Sequence, residues 1–458
     1  MRAWIAVITM LALWPLTARA GDVLSLTDAI GLAIDHAPAY AAAEADRAAA
    51  HEQQTIGRGV LLPYIHATGN LSRYRQSYSY SHNAAPILEN LKTNFNQATG
   101  DITVSEPLFD LKLWAEYKQG KLASTAGDIR FDASFQQLLL NVSQAYINAV
   151  VAKSAAEAAR SQEQAMIKLD EQAKAAFKAG TKNINDSLDA QSRLDLARAQ
   201  RIKADNDVAQ AQATLASLIG QPVPELAVFD PSAPTPLPNP DDLSHWEKLA
   251  AHDSLYVRLA ANAASQANEQ VTHAIGVASP SLSLVGSLGY HDATYGQFRT
   301  GYNIRTEQIG VQLDVPLYAG GRAWAGLRQN EKLADKAELD LEDAKRQARL
   351  DAQAAFLAVH EAEAQVAALT QATKSAYKAR QAAELGYRVG LRDIVDRLDA
   401  EERLFEARHE LTQAHGQYLM ARLRLASAIG KLDRSVIGKA AMGMMANAVS
   451  STDTEKGP

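Results

Sequence analysis

The residue groupings that could carry out covalent or metal chemistry are all incomplete. His51-Glu52, His360-Glu361 and His409-Glu410 each begin the helical H-E-x-x-H pattern that holds zinc. Thr55, Ala364 and Gln413 stand where the second His is required. Gly57-Arg58-Gly59 opens like a dinucleotide loop, but Leu62 replaces the third glycine. No G-x-S-x-G elbow or phosphate-binding Walker loop occurs, and the eleven histidines are scattered. With no cysteine, thiolate nucleophiles, iron–sulfur clusters, Cys-bound zinc and disulfides are excluded. The reading is therefore not an enzyme, with no cofactor and no metal. One spacing does suggest function. Asp396 and Asp399 are three apart, so on a helix they share one face about a turn from each other. In an oligomer such a pair would form stacked carboxylate rings that favour cations and repel anions. The competing reading is a pair of solvated acids at a helix start, favoured there by the macrodipole.

The remaining sequence describes the scaffold that would position such residues. Of 458 residues, 46 are basic and 52 acidic, a net charge of −6 that argues against a nucleic-acid partner. Aromatics make up only 6%, and Ala, Gln, Glu, Lys, Arg and Leu dominate, a composition suited to long helices. Arg2, the apolar run Ala3 to Leu16 and Ala18-Arg19-Ala20 before Gly21 read as a secretory signal peptide over residues 1–20. An uncleaved anchor is the alternative, although the run is short for a bilayer. No later stretch has eighteen consecutive apolar residues, so any membrane crossing must use β-strands.

The chain repeats itself once. Leu215-Ala216-Ser217-Leu218-Ile219-Gly220 recurs as Leu425-Ala426-Ser427-Ala428-Ile429-Gly430, an offset of 210 residues shared by Gly180 with Gly390 and by Leu188-Asp189-Ala190 with Leu398-Asp399-Ala400. The repeat is far longer than a solenoid unit. It divides the chain into a first unit at 21–220, a connector at 221–242, a second unit at 243–430 and a tail at 431–458. Seven of the fifteen prolines fall between Pro222 and Pro240, which makes the connector irregular. Each unit reads as helix, two strands, long helix, turn, helix. The first helices are expected over 26–58, with Ser25 or Thr27 as N-cap, and over 243–275.

Strands are expected within 63–109 and 280–318. Ile65, Ala67, Gly69 and Leu71 alternate with polar residues, as do Ala98, Gly100, Ile102 and Val104. In the second unit, Leu282, Leu284, Gly286 and Leu288, and Ile309, Val311, Leu313 and Val315, follow the same period of two. Tyr64, Tyr74, Tyr78, Tyr80, Phe95, Phe109, Tyr290, Tyr295, Phe298, Tyr302 and Tyr318 concentrate in these segments, as aromatic girdles do at bilayer interfaces. A soluble hairpin would also favour tyrosine. Four strands cannot close a barrel, and an open edge is not viable in lipid. Several copies must share one barrel; three would give twelve strands, and two or four copies also satisfy closure. No proline interrupts 110–178 or 320–387, so each is read as a helix of roughly 100 Å. Phe135, Leu139, Val142, Tyr146 and Ala149 recur with coiled-coil spacing. The return helices, about 185–220 and 394–430, are shorter, so 26–58 and 243–275 must stack end to end with them.

The run Gly386-Tyr387-Arg388-Val389-Gly390-Leu391-Arg392-Asp393-Ile394-Val395-Asp396-Arg397-Leu398-Asp399 resembles the helix–turn–helix of the TolC family of outer-membrane exit ducts. The resemblance extends over nearly the whole chain, through its duplication, strand pairs, long helices and proline connector. Gly21 follows the signal where the lipid-anchored branch carries Cys. The resemblance implies a fold that is mainly α with membrane β: a TolC-like homotrimer with a shared twelve-stranded barrel in the outer membrane and a coiled-coil helical tube extending into the periplasm. It further implies a tip latched by Tyr387 and Arg392 as donors, with Asp186 as partner carboxylate and Asn185 where the family often has Thr. Asp396 and Asp399 would ring the entrance. Val389, Gly390 and Leu391, with Gly180 at the first turn, would form the tip met by a periplasmic adaptor working with an inner-membrane ABC or RND transporter. The implied function is passive export in type I protein secretion, drug efflux or both. A periplasmic adaptor or a soluble coiled-coil scaffold are the alternatives; the first should lack the duplication and the second the four strands.

Overall fold

The computed structural model describes residues 23–77, 92–181, 183–230, 233–294, 301–442 and 445–446. The signal segment 1–20 and the last residues of the tail lie outside them. The first unit begins with α1 (Leu26–His36) and α2 (Pro38–Gly59). The helix expected over 26–58 is therefore two helices. Pro38 has no backbone N–H and a fixed φ, so it starts a new helix at N1 while Ala37 is extended. Ser25 is the cap, its Oγ accepting the Asp28 N–H at 3.1 Å. The second unit behaves alike. The helix expected over 243–275 is broken at Ser254 into α5 (Leu243–Asp253) and α6 (Leu255–Val277).

Between and after these helices come β1 (Tyr64–Ser77), β2 (Lys92–Phe109), β4 (Ser281–Ala293) and β5 (Tyr302–Asp314). They form one antiparallel sheet in the order β1-β2-β4-β5. The register aligns the alternating apolar residues on a single face. Ile65 lies opposite Val104, Val104 opposite Gly286, and Gly286 opposite Ile309; the next row is Ala67, Ile102 and Leu288, with Glu307, paired to Arg305, at its β5 end. Leu71 and Ile309 on this face are each 81% exposed. Such a face is unstable in water and suited to hydrocarbon. Among the described residues, β1 and β5 carry no outer partner strand, so both edges are open.

From the sheet, α3 (Leu111–Lys178) and α7 (Arg322–Arg388) run down for about 100 Å each. Two return helices, α4 (Ile184–Ile219) and α8 (Ile394–Ala428), climb back part-way. In the lower half α4 packs on α3, α3 on α8 and α8 on α7; in the upper half α2 packs on α3, α3 on α6 and α6 on α7. α4 and α7 thus stand at the two flanks of the lower layer. The coiled-coil positions Leu139, Val142, Tyr146 and Ala149 are fully buried, and Phe135 is half-buried against the same core.

The core is thickest at mid-length, where α1, α3, α7 and α8 meet the connector. Buried Tyr146 donates its hydroxyl to the Leu24 carbonyl at 2.7 Å, and Tyr418 donates to the Pro236 carbonyl at 2.6 Å. Desolvation raises the pKa of both phenols above the ordinary value. The connector contains a short strand, β3 (Val228–Phe229), and the tail contains α9 (Arg434–Met442) and β6 (Met445–Ala446). β6 pairs antiparallel with β3, and Ile437 of α9 is fully buried. The start of the tail is therefore part of the waist of the molecule, through packing partners more than 200 residues away in sequence.

Candidate gate at the helical tip

Two turns close the helical end, and they are built alike. After α3, Gly180 has φ of +70°, its N–H bonds to the Phe177 carbonyl, and Thr181 N–H reaches Ala176 at 3.0 Å. After α7, Gly390 has φ of +78°, its N–H bonds to Tyr387, and Leu391 N–H reaches Gly386 at 2.8 Å. These are left-handed helix C-caps, where glycine avoids the Cβ penalty. Three residues beyond each glycine a side chain caps the return helix. Asn183 Oδ1 accepts the Asn185 N–H at 3.3 Å, and Asp393 Oδ1 accepts the Asp396 N–H at 2.9 Å.

The hairpins share one core just above the turns. Met166, Leu169 and Ala173 of α3 and Ala190, Leu194 and Ala197 of α4 pack with Ile394 and Leu398 of α8. Tyr387 and Val395 pack partly buried against them. Arg397 lies over the Tyr387 ring at 5.4 Å, pairs with Glu384 at 2.5 Å, and donates to Gln172 of α3 at 3.0 Å. Arg193 of α4 forks across to α8, with Nη2 on Asp399 at 2.5 Å and Nη1 on Glu402 at 2.6 Å. Arg380 joins Glu401 at 2.8 Å between α7 and α8, and Glu163 joins Arg201 at 2.8 Å between α3 and α4. Charge-assisted bonds thus hold each hairpin together and also tie one hairpin to the other.

The residues singled out from the sequence all lie at this end. Asp186 and Asn185 open α4; Val389, Gly390 and Leu391 form the exposed second turn. The structure does not join Arg392 to Asp186 within one chain, and among the described residues neither side chain forms an ion pair. Arg392 instead folds over Gly386, where a Cβ would lie 3.0 Å from its Cγ and Cδ. Asp396 and Asp399 share one face of α8 as their spacing requires. Asp396 is exposed in the first turn of α8, whereas Asp399 is held by Arg193. Sequence reasoning missed Arg193, Glu402, Glu384 and Gln172, and gave Arg397 and Gly386 no role although both lie in the recognised run. Arg193 and Glu402 are 209 residues apart, so no local pattern could have paired them.

A model of the outer membrane efflux protein family matches residues 29–221 and 248–431. The chain belongs to this family. It is 28% identical over 418 residues to the alkaline protease secretion protein AprF of Pseudomonas aeruginosa, covering 90% of this chain and 85% of that one. It is 29% identical over 412 residues to the outer membrane protein TolC of Vibrio cholerae, covering 89% and 91%. Its fold is that of the solved outer membrane protein VceC from Vibrio cholerae, with a TM-score of 0.72, 19% identity, and coverage of 88% and 96%. The chain is thus a TolC-family channel protein of the outer membrane, with its helices in the periplasm, and the adaptor reading is not favoured. The sheet marks the membrane end and the two turns mark the periplasmic tip.

Proposed function

We propose that three copies assemble into an exit duct that conducts cargo passively across the outer membrane, closed at rest by the tip. The observation that carries this reading is the open sheet. Four strands with a lipid-suited face and two unpaired edges require β1 of one copy to meet β5 of the next. Closure by three copies gives a twelve-stranded barrel over a twelve-helix tube. It also brings the α4 flank of one copy against the α7 flank of its neighbour.

That arrangement gives Arg392 and Asp186, which form no ion pair among the described residues, a route to each other across the subunit boundary. Tyr387 and Arg392 are the latch donors, Asp186 the acceptor, and Asn185 a neighbouring polar contact. Asp396, repeated three times, lines the mouth and favours cations. Opening requires the α7–α8 hairpins to swing away from the α3–α4 hairpins, which breaks the latch and the Arg193 fork together. A periplasmic adaptor docked at Val389, Gly390, Leu391 and Gly180, coupled to an inner-membrane ABC or RND transporter, supplies that bias. The relative named for alkaline protease secretion makes a secreted protein the first cargo to examine, with small-molecule efflux as the second.

The test is a planar bilayer. Purified protein should insert as trimers of low conductance, and Arg392→Ser with Tyr387→Phe should raise single-channel conductance severalfold. Unchanged conductance in inserted trimers would overturn the latch; the absence of a heat-resistant trimer from outer-membrane fractions would overturn the shared barrel.

A further inference from the structure

The face of the sheet that the register aligns changes character toward the end away from the helices. On β4 its apolar residues run Leu282, Leu284, Gly286 and Leu288 and finish at Tyr290, 48% exposed. Tyr290 shares its row with Gly100 and Gly69. Above it, β1 presents Leu71, then Arg73 and Arg75, on the same face. Lys92 lies opposite Ser77, diagonal to Arg75 on β2. Arg73, Arg75 and Lys92 are all exposed, and among the described residues none forms an ion pair or a side-chain hydrogen bond. The chain as a whole is acidic, at −6. The outward carboxylate nearest this end is Asp292 of β4, two strands away and one row below Arg73; Glu307 of β5 lies three rows below Arg73 and pairs with Arg305 at 2.9 Å.

The height of this cluster identifies what it meets. Arg73 lies opposite Asn96, which bonds to Thr294, twelve residues above Leu282 on β4. At about 3.3 Å per residue and a tilt near 40°, that is roughly 30 Å above the lower apolar row. The apolar band of such a barrel is about 25 Å tall. Arg73, Arg75 and Lys92 therefore emerge just past the hydrocarbon, at headgroup level, on the extracellular side. Two arginines two residues apart on one strand face stand about 7 Å from each other, with Lys92 at similar reach. Guanidinium forks at this separation match phosphate groups.

We propose that Arg73, Arg75 and Lys92 form a binding site for the phosphate groups of the anionic glycolipid in the outer leaflet of the outer membrane. The proposal rests on the barrel reading, because the apolar face must lie in lipid for the cluster to reach that leaflet. The site fixes the depth of the barrel and ties each copy to the lipid beside its open β1 edge.

The experiment uses the purified full-length trimer in phosphatidylethanolamine nanodiscs, with diphosphorylated lipid A or the same lipid after phosphatase treatment. Lipid retained per trimer is read by native mass spectrometry, and conductance is read in parallel. The expected result is a preference for the diphosphorylated lipid of roughly a hundredfold, since three cations near an anionic surface contribute on the order of a kilocalorie each. The double variant Arg73→Gln with Arg75→Gln should lose that preference while keeping wild-type conductance. Arg73→Lys with Arg75→Lys should restore part of it, and Arg305→Gln should leave it intact. Equal retention of both lipids by the wild type, retention of free phosphatidylethanolamine alone, or an undiminished preference in the double Gln variant would overturn the site. Failure to form conducting trimers at all would instead count against the barrel.

Discussion

Replacing Arg193 by glutamine should open the tip. Its guanidinium makes two short contacts between the hairpins, 2.5 Å to Asp399 and 2.6 Å to Glu402. The three side chains are 29%, 37% and 40% exposed, so water screens both contacts, and each is discounted to about 0.5–1 kcal/mol. The fork then contributes roughly 1–2 kcal/mol per chain, and about 3–6 kcal/mol if three chains open together. At 1.4 kcal/mol per factor of ten, the open population should rise by about two to four orders of magnitude. A second effect has an independent readout. Without Arg193, Asp399 loses its counter-ion, so the mouth gains one uncompensated carboxylate per chain and its cation-over-anion permeability ratio should increase. Single-channel recording of Arg193→Gln in a planar bilayer, with reversal potentials under a salt gradient, measures both quantities. Arg193→Glu with Asp399→Arg should return conductance toward wild type. Wild-type open probability together with a wild-type permeability ratio in Arg193→Gln would refute the reasoning.

Other outcomes follow from particular contacts. Tyr146→Phe removes the donor to the Leu24 carbonyl and should cost about 1–3 kcal/mol, read as a lower thermal midpoint of the purified protein. Asp433 accepts the Val436 N–H at 2.7 Å as a helix cap, which helps hold its carboxyl below the usual range; Asp433→Ala should weaken α9 by about 1 kcal/mol and speed proteolysis of the tail. Asp128 is held below the usual carboxylate pKa by its hydrogen bond to His51, with Arg47 also contributing. A depressed carboxylate stabilises the fold above its unfolded pKa and loses that contribution as pH falls through the lowered folded value. The α2–α3 contact should therefore weaken below about pH 4, and Asp128→Asn should flatten that acid limb in a melting series. Gly390→Ala places a Cβ at φ of +78° and should cost about 1 kcal/mol, seen as a lower thermal midpoint.

The parts of the fold legible in the sequence were those written in short periods. Ile65, Ala67, Gly69 and Leu71 declare a strand face within seven residues, and Leu139, Val142 and Tyr146 declare a helix seam within eight. The breaks at Ala37 and Ser254 were harder. Pro38 is a helix starter as well as a helix breaker, and Ser254 caps no backbone group with its side chain, so the Ala-rich pattern reads through both. At the tip, glycines and acids were visible because turn chemistry is local. The links between hairpins were not, since Arg193 with Asp399 and Arg397 with Gln172 pair residues more than 200 apart and depend on how whole helices lie together. The β3–β6 pairing was hidden for the same reason, each strand being only two residues long.

The pairing of β6 with β3 has a practical consequence. It pairs residue 446 with Val228 of the connector, after α9 has packed on α1 and α8, far from both the helical tip and the sheet. A fluorescent protein or affinity handle inserted directly after residue 446 would start at mid-height. It would report on whatever encircles the shaft there while leaving both ends of the conduit unobstructed.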